Sequence, residues 1–556
     1  MFTRLNLNSI NTKNIFRKSS MTAISVLCAG SLLVSACGAP SYSQRGYSSG
    51  DAGYAEEAAP APLQANRVRA VPAEGNGYST GGSAIVNDKP YDATFFQNYG
   101  VNPFIDTEDD HLSTFAMDVD TASYTVARRY VHDGHMPDPD SVRTEEFLNY
   151  FKRDYTPPSE GAFAIHLEGA PSPFGGERYH LMRVGLQGKV INAEDRKDAS
   201  LVFVVDVSGS MNQENRIGLV KRSLRLLVEE LRPTDEVGIV VYGGGAGLHL
   251  RPTPASQKDR ILRAIDRLQA NGSTNLEQGL VQGYQMAEEM MRMAENAEQD
   301  RIVRLILASD GVANVGNTGS NSILNRVQDY VDQGITLSTV GFGMGNYNDV
   351  LMEQLANDGD GNYAYVDTLD EANRFFVENL TGMLQVIAKD AKVQVDFNPA
   401  VVSRYRLLGY ENRRVADDDF RDDTVDAGEV GAGHSVTALY EVKFAKAADG
   451  EEIATNEVAA TVYVRYQDMD SGQVVEVNNV LGREQFANDI YAASPSFQLD
   501  TAIAEYAEIL RESYWAQDSH MSDVRMIAEQ AADFFVGDED VDEFLGLVRQ
   551  AEQLLN

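Results

Sequence analysis

Residues 199–211 read ASLVFVVDVSGSM, and the fold is decided by how this stretch is read. The continuous apolar run from Leu201 to Val205 has the pattern of a strand buried on both faces, and it breaks at once into Asp206, Ser208, Gly209 and Ser210. In extended backbone alternate residues point the same way, so Asp206, Ser208 and Ser210 converge, while Gly209 lets the chain curl around their meeting point. A carboxylate and a pair of hydroxyls suit a hard divalent cation. They are too few for Mg²⁺, which takes near-octahedral oxygen coordination and keeps water or recruits ligands from elsewhere. Two further oxygens are expected downstream.

The surrounding pattern alternates helices with buried strands. Ile217 to Leu231 has helical spacing, Val237 to Val241 is a second buried strand, and Leu248 to Arg251 a short third one ended by Pro252 and Pro254. Ile261 to Leu268 is helical, and Asn271 to Asn275 forms a loop before a helix from Leu276 to Met293. Ile302 to Leu307 is a further strand closing in Ala308, Ser309, Asp310 and Gly311, and Ile335 to Val340 repeats the pattern before Gly341, Phe342 and Gly343. This alternation predicts an open, mostly parallel sheet covered on both faces, with binding at the carboxyl ends of its strands. Asp206 and Asp310 sit at two such ends, and Thr274 lies in a loop that can reach the same edge.

Asp206, Ser208, Ser210, Thr274 and Asp310, in this order and spacing, resemble the metal ion-dependent adhesion site of von Willebrand factor type A (VWA) domains. DxSxS alone is a weak signal; after a buried strand, and followed by GSTN and an apolar strand ending in SDG, it is a specific one. The resemblance covers roughly residues 197–385 and implies a doubly wound α/β fold with a six-stranded, mostly parallel sheet. It also implies Mg²⁺, or Mn²⁺ or Ca²⁺, at the site. Asp206 and Asp310 would cancel the cation's charge and leave an opening for an anionic oxygen from a protein partner's Glu or Asp. Family precedent has the two serines bind the metal directly, with Thr274 and Asp310 acting directly or through water.

The chain has 556 residues, enough for two or three globular units. Arg4, Lys13, Arg17 and Lys18 precede a short apolar stretch from Met21 to Ala36, which is an export signal rather than a span needing roughly 20 apolar residues. Val34, Ser35, Ala36 and Cys37 resemble a bacterial lipobox, in which Cys37 becomes the lipidated first residue. The other cysteine, Cys28, lies in the removed segment, so no disulfide is expected. Gly38 follows the cysteine where lipoproteins retained in the inner membrane tend to carry Asp, so the resemblance implies the outer membrane of the bacterial envelope. Removal of residues 1–36 leaves 43 basic against 83 acidic residues, which excludes nucleic acid as a natural partner and suits cations or basic surfaces.

The reading divides the chain into a signal peptide over 1–36, a flexible tether over 37–110 whose last part can order against the body, an N-terminal αβ module over 111–158, and β strands over 159–195. A VWA domain follows over 196–386, then part of a β-sandwich over 387–484 and a helical tail over 485–556. Phe163 to Leu167 and Tyr179 to Gln187 lack a sheet of their own. Beyond Lys389 half-buried antiparallel strands take over, in Val393 to Phe397, Val436 to Phe444 and Val458 to Val464. The early strands are expected to pair within 388–480, which makes the VWA domain an insertion in an antiparallel sandwich. LSTFAMDVDTASY and RTEEFLNYF before the domain, with LLGYENR and VDAGEVGAGHSVTALYE after it, resemble a bacterial family of exported VWA lipoproteins whose flanking domains have no assigned role.

Other features read as structural. Asp118 and Asp120 beside a helix start are electrostatic, His132 and His135 are surface residues, NDGDGN over 357–362 is a turn, and Trp515 is core. The acidic loop from Asp417 to Asp426 is solvated, with low-affinity calcium as the alternative. Thr121 is expected to cap a helix through Tyr130. The leading function is a lipid-anchored envelope protein that binds an acidic group of another protein through the metal. The alternatives are a scaffold whose metal is structural and, more remotely, a metal-dependent hydrolase. No HExxH occurs, and His249 and His434 are the loose candidates for a base, so the chain is read as not an enzyme.

Overall fold

The computed structural model describes residues 96–556 apart from 177, 312–326, 332, 345–346 and 447–455, together with two short paired strands, β1 (Ile85–Val86) and β2 (Lys89–Pro90). Strands β3 (Ile105–Asp106) and β4 (Leu112–Ala116) are followed by helices α1 (Ala122–His132) and α2 (Thr144–Tyr150) and by the hairpin β5 (Phe163–Pro171) and β6 (Tyr179–Gly188). Thr121 stands at the N-cap of α1 without a side-chain bond, and the helix runs two residues past Tyr130. Residues 96–110, assigned to the tether by composition, pack against the body: Phe96 is buried, and Asn102 Nδ2 donates to the carbonyls of Leu407 and Gly409.

The α/β unit comprises β7 (Asp198–Asp206), α3 (Arg216–Glu230), β8 (Glu236–Tyr242), β9 (Ala246–Pro254), α4 (Lys258–Asp266), α5 (Leu276–Asn296), β10 (Arg301–Ser309) and β11 (Ile335–Phe342). It continues through α6 (Asp349–Asn357), β12 (Tyr363–Val366), α7 (Leu369–Asn373), a π-helical turn over Arg374–Glu378, and α8 (Leu380–Leu384). Its six strands form one sheet in the order β12-β11-β10-β7-β8-β9, parallel except for β9. The expected short third strand is the nine-residue antiparallel edge β9, and the sixth strand, β12, falls in a stretch the hydropathy pattern did not single out. Along β7, Ala199, Leu201, Phe203 and Val205 pack into the core under α3 and α4, whereas Val202 and Val204 pack into the core under α5 and α6. Period-two alternation between two helical layers makes every residue from Leu201 to Val205 apolar, and each contributes about 1.5–3 kcal/mol relative to exposure.

The chain before and after this unit builds an antiparallel sandwich from β13 (Val386–Phe397), β14 (Val402–Leu408), β15 (Gly428–Gly431), β16 (Ser435–Phe444), β17 (Val458–Asp468) and β18 (Val474–Gly482). One sheet runs β15-β13-β17-β18 with β4 also on β13; the other runs β3-β14-β16-β6-β5. Thus β6 pairs with β16, Met182 opposite Tyr440, so the hairpin before the α/β unit shares a sheet with strands that follow it. β15 and β4 share one edge of β13, pairing with its first and second halves, and the ladder is interrupted between Lys389 and Lys392, where Asp390 has φ +51.

Helices α9 (Pro495–Leu510), α10 (Met521–Ala532) and α11 (Glu539–Leu555) pack with α1 and α2 in a separate core. Trp515 is half-buried rather than core; its Nε1 donates to Asn102 O and its ring meets Phe104 edge-on at 5.0 Å. The modules are joined by buried arginine–carboxylate pairs. Asp500 takes Arg153 Nε and Arg183 Nη1, both at 2.8 Å. Arg413 reaches Asp118 and Asp120, while Asp120 Oδ1 accepts Tyr363 N at 2.8 Å and so satisfies the outer edge of β12. Asp118 and Asp120 are therefore structural. His132 and His135 are exposed.

Among these groups Glu145 is fully buried on α2, and neither carboxyl oxygen has a hydrogen-bond partner among the described residues. Burial, then the nearby charge of Glu411, pushes its carboxyl from 4.5 up to about 8. Between those values the native state keeps a proton that the unfolded chain has lost, so Glu145 lowers stability as pH rises through this window. Glu145→Gln removes that penalty. The melting temperature of the variant relative to wild type should climb from pH 5 to pH 8.5, which differential scanning fluorimetry can follow; a constant difference would contradict the assignment.

Candidate metal centre

The sheet order reverses between β7 and β10, the switch point at which open α/β sheets bind ligands. β7 ends there in Asp206, which has no exposure and lies opposite Tyr242 of β8. Ser208 keeps extended backbone and a 3₁₀ turn begins at Gly209, so the loop folds back over the strand end. Ser208 N donates to Asp206 Oδ1 at 2.7 Å, and the Ser208 and Ser210 hydroxyls lie 2.9 Å apart. From the neighbouring strand, Ser309 Oγ donates to Asp206 Oδ2 at 3.2 Å and accepts from Gly311 N at 3.1 Å. Asp310, the next residue, is fully buried as well.

A third loop closes the edge. Asn271 N donates to Val207 O at 2.6 Å, and Gly209 N donates to Gly272 O at 2.9 Å. These bonds seat the 271–275 loop on the Asp206 loop, and Thr274, almost completely buried, comes with it. Asn275 then caps α5 by accepting Gln278 N at 3.1 Å. Gly272 has φ +102, and a Cβ there would lie 2.6 Å from Gly244 N, so only glycine lets the β8–β9 turn approach.

Two carboxylates without water in one pocket repel each other. Burial, then the charge of Asp310, pushes Asp206 up to about 7, against the opposing pull of its bonds from Ser208 and Ser309. Burial beside Asp206 also drives Tyr242 upward. Arg216, the first residue of α3, donates from Nη1 to Asp310 Oδ2 at 2.9 Å and supplies a positive charge. An oxygen-rich pocket of this composition, with more carboxylate than its surroundings solvate, fits a hard divalent cation held by Asp206, Ser208, Ser210, Thr274 and Asp310.

The structure thus brings Asp206, Ser208 and Ser210 together, sets Asp310 across from them, and docks the Thr274 loop on the same edge. Cys37 lies outside the described residues. Sequence reasoning missed Ser309 and Arg216. SDG places a hydroxyl beside Asp310 and could have flagged the serine, whereas an arginine at a helix start has no distinguishing signature. His249 donates from Nε2 to Ala264 O at 2.8 Å, and His434 sits against Gly382, with burial pushing its imidazole down to about 4. Asp360 of the NDGDGN turn meets Asp426 and Glu429 with carboxylate oxygens within 4.8 Å of one another. Lys389 Nζ bonds Asp360 at 2.7 Å and gives that cluster a cation.

Comparison with known proteins agrees with this fold. Residues 200–380 match the von Willebrand factor type A domain, residues 90–183 match a von Willebrand factor family, and residues 382–554 match the C-terminal region of uncharacterized protein YfbK. YfbK of Escherichia coli (strain K12) is 36% identical over 458 residues, covering 78% of this chain and 77% of that protein. The chain belongs to the YfbK family of VWA-domain proteins. Human inter-alpha-trypsin inhibitor heavy chain H4 is 28% identical to this YfbK-family chain over 169 residues, covering 29% of this chain and 17% of that protein. A solved von Willebrand factor type A structure from Catenulispora acidiphila is 14% identical, with a TM-score of 0.42 over 72% of this chain and 91% of that chain.

The three-loop edge gives a direct test. Gly272→Ala forces both a strained backbone and a collision with Gly244, so it should lower stability by about 1–3 kcal/mol in chemical denaturation. Gly245→Ala, where a Cβ meets nothing within 4 Å, should be close to neutral.

Proposed function

We propose that this protein binds an acidic group of a protein partner through a divalent cation, Mg²⁺ in the first instance with Mn²⁺ or Ca²⁺ as alternatives, held by Asp206, Ser208, Ser210, Thr274 and Asp310. The observation that carries this reading is the burial of Asp206 and Asp310 together beside the paired Ser208 and Ser210 hydroxyls, at the switch point of the sheet. A bound divalent cation supplies a Lewis-acidic contact that a partner's carboxylate completes. Ser208 N and Ser309 Oγ orient the Asp206 carboxylate, and the backbone bonds from Gly209 and Asn271 fix the spacing of the loops. The histidines considered as a base have other neighbours, Ala264 O for His249 and Gly382 for His434, which favours binding over hydrolysis.

Millimolar Mg²⁺ at about a hundredfold excess over Kd should stabilise the domain by about 2.7 kcal/mol, a rise in melting temperature of about 5–10 °C. Asp206→Ala should abolish the rise. Capture from envelope extracts should give a protein retained by wild type with Mg²⁺ and lost with EDTA or Asp310→Ala. Identical captures in all lanes would make the cation structural and the protein a scaffold.

We also propose that Cys37 carries the lipid that anchors the protein to the bacterial envelope, at the outer membrane. The support is the lipobox in the sequence; no described helix is long and apolar enough to cross a membrane. Cys37→Ser should lose metabolic labelling with radioactive palmitate and move the protein from the membrane fraction to the soluble one.

A further inference from the structure

Arg216 carries a buried positive charge into the candidate metal centre. The residue is 4% exposed, and its guanidinium joins two loops, donating from Nη1 to Asp310 Oδ2 at 2.9 Å and from Nη2 to the carbonyl of Met344. Its side chain crosses Gly343, which has φ +86; a Cβ at that position would lie 2.5 Å from Arg216 Cδ and 2.8 Å from Cγ. The arginine therefore fills the space a side chain would take, and the loop after β11 is shaped around it. Both glycine requirements, the positive φ and the missing space, serve one contact.

We propose that Arg216 is a resident counter-ion of Asp310 that competes with the divalent cation for this carboxylate and links cation occupancy to the loop at Met344. The inference rests on the cation reading given above. Its physical basis is charge. Without a cation, two buried carboxylates need compensation, and Arg216 supplies it to the one it touches. With a divalent cation present, two carboxylates already neutralise it, and the guanidinium leaves the filled centre with an excess positive charge. That excess lowers the affinity for the cation and raises the preference for an anionic last ligand over a neutral one. Arg216 is a positioning residue here: it acts on the cation through Asp310. Because the same guanidinium holds Met344, weakening its bond to Asp310 loosens the side chain on which the 343–344 backbone rests.

The test is isothermal titration of the full chain with Mg²⁺ in wild type, Arg216→Gln and Arg216→Lys, with folding checked by circular dichroism. Arg216→Gln should bind Mg²⁺ about tenfold more tightly, since Coulomb repulsion across a partly screened pocket supplies at least that factor, and Arg216→Lys should stay near wild type. Equal or weaker binding by Arg216→Gln, with wild type still binding, overturns the role of Arg216 and leaves the metal centre standing. No binding of Mg²⁺, Mn²⁺ or Ca²⁺ by wild type or Arg216→Gln overturns the metal centre itself and this proposal with it. Should Arg216→Gln fail to fold, hydrogen exchange on wild type decides. Faster exchange of the peptide containing Gly343 and Met344 on adding Mg²⁺ supports the link, and unchanged exchange with Mg²⁺ bound overturns it.

Discussion

A carboxylate removed from water must be answered by another charge, by hydrogen bonds or by a proton, because the effective penalty is on the order of several kcal/mol per ion. That constraint governs the centre of this molecule. Asp206 and Asp310 are both without solvent exposure at the end of adjacent strands, and their surroundings respond with hydroxyls, backbone amides and the guanidinium of Arg216. The sheet supplies the position: only a strand covered on both faces, as β7 is, ends deep enough to bury the acid that follows it.

The same constraint recurs wherever the modules meet. Arg128 joins Asp367 and Glu371 of the α/β unit to Glu543 of the last helix, and Arg143 of the N-terminal module joins Glu146 to Asp349. Arg406 bridges Glu441 of the sandwich and Glu508 of α9, where it holds the Glu508 carboxyl down at about 2 against the opposing effect of burial. Such pairs add little net stability compared with apolar packing, but removing one partner strands the other. They account for charged residues inside a chain with a strong excess of acidic residues.

What could be read in advance follows from how local each signal is. The strands β7, β8, β10 and β11 announce themselves by apolar runs, and four of the five cation-binding candidates by short motifs directly after strands, with Thr274 in the loop that leads into α5. β12 escaped because YAYV is four residues long and follows an acidic, glycine-rich turn, so no periodicity develops. β14 and β18 escaped because arginines and asparagines interrupt their patterns. Arg216 was invisible for a different reason: its partners, Asp310 and Met344, are far along the chain, and no spacing rule connects an arginine at a helix start to a carboxylate on another strand. The contacts of Arg128 with Glu543 and of Asp120 with Tyr363 are equally non-local.

The pairing of β6 with β16 also bears on how the chain reaches its native state. Leu181 lies opposite Glu441, yet the whole α/β unit is synthesised between them. During translation the early hairpin emerges with one edge unpaired and waits for its partner strand. An α/β unit that folds first, on contacts largely its own, shortens the effective loop that must close before β16 arrives. The inserted domain is thus in a position to act as an internal chaperone for the sheet that surrounds it, and a slow-folding variant of that domain would leave the sandwich half-built and its strand edge open to aggregation.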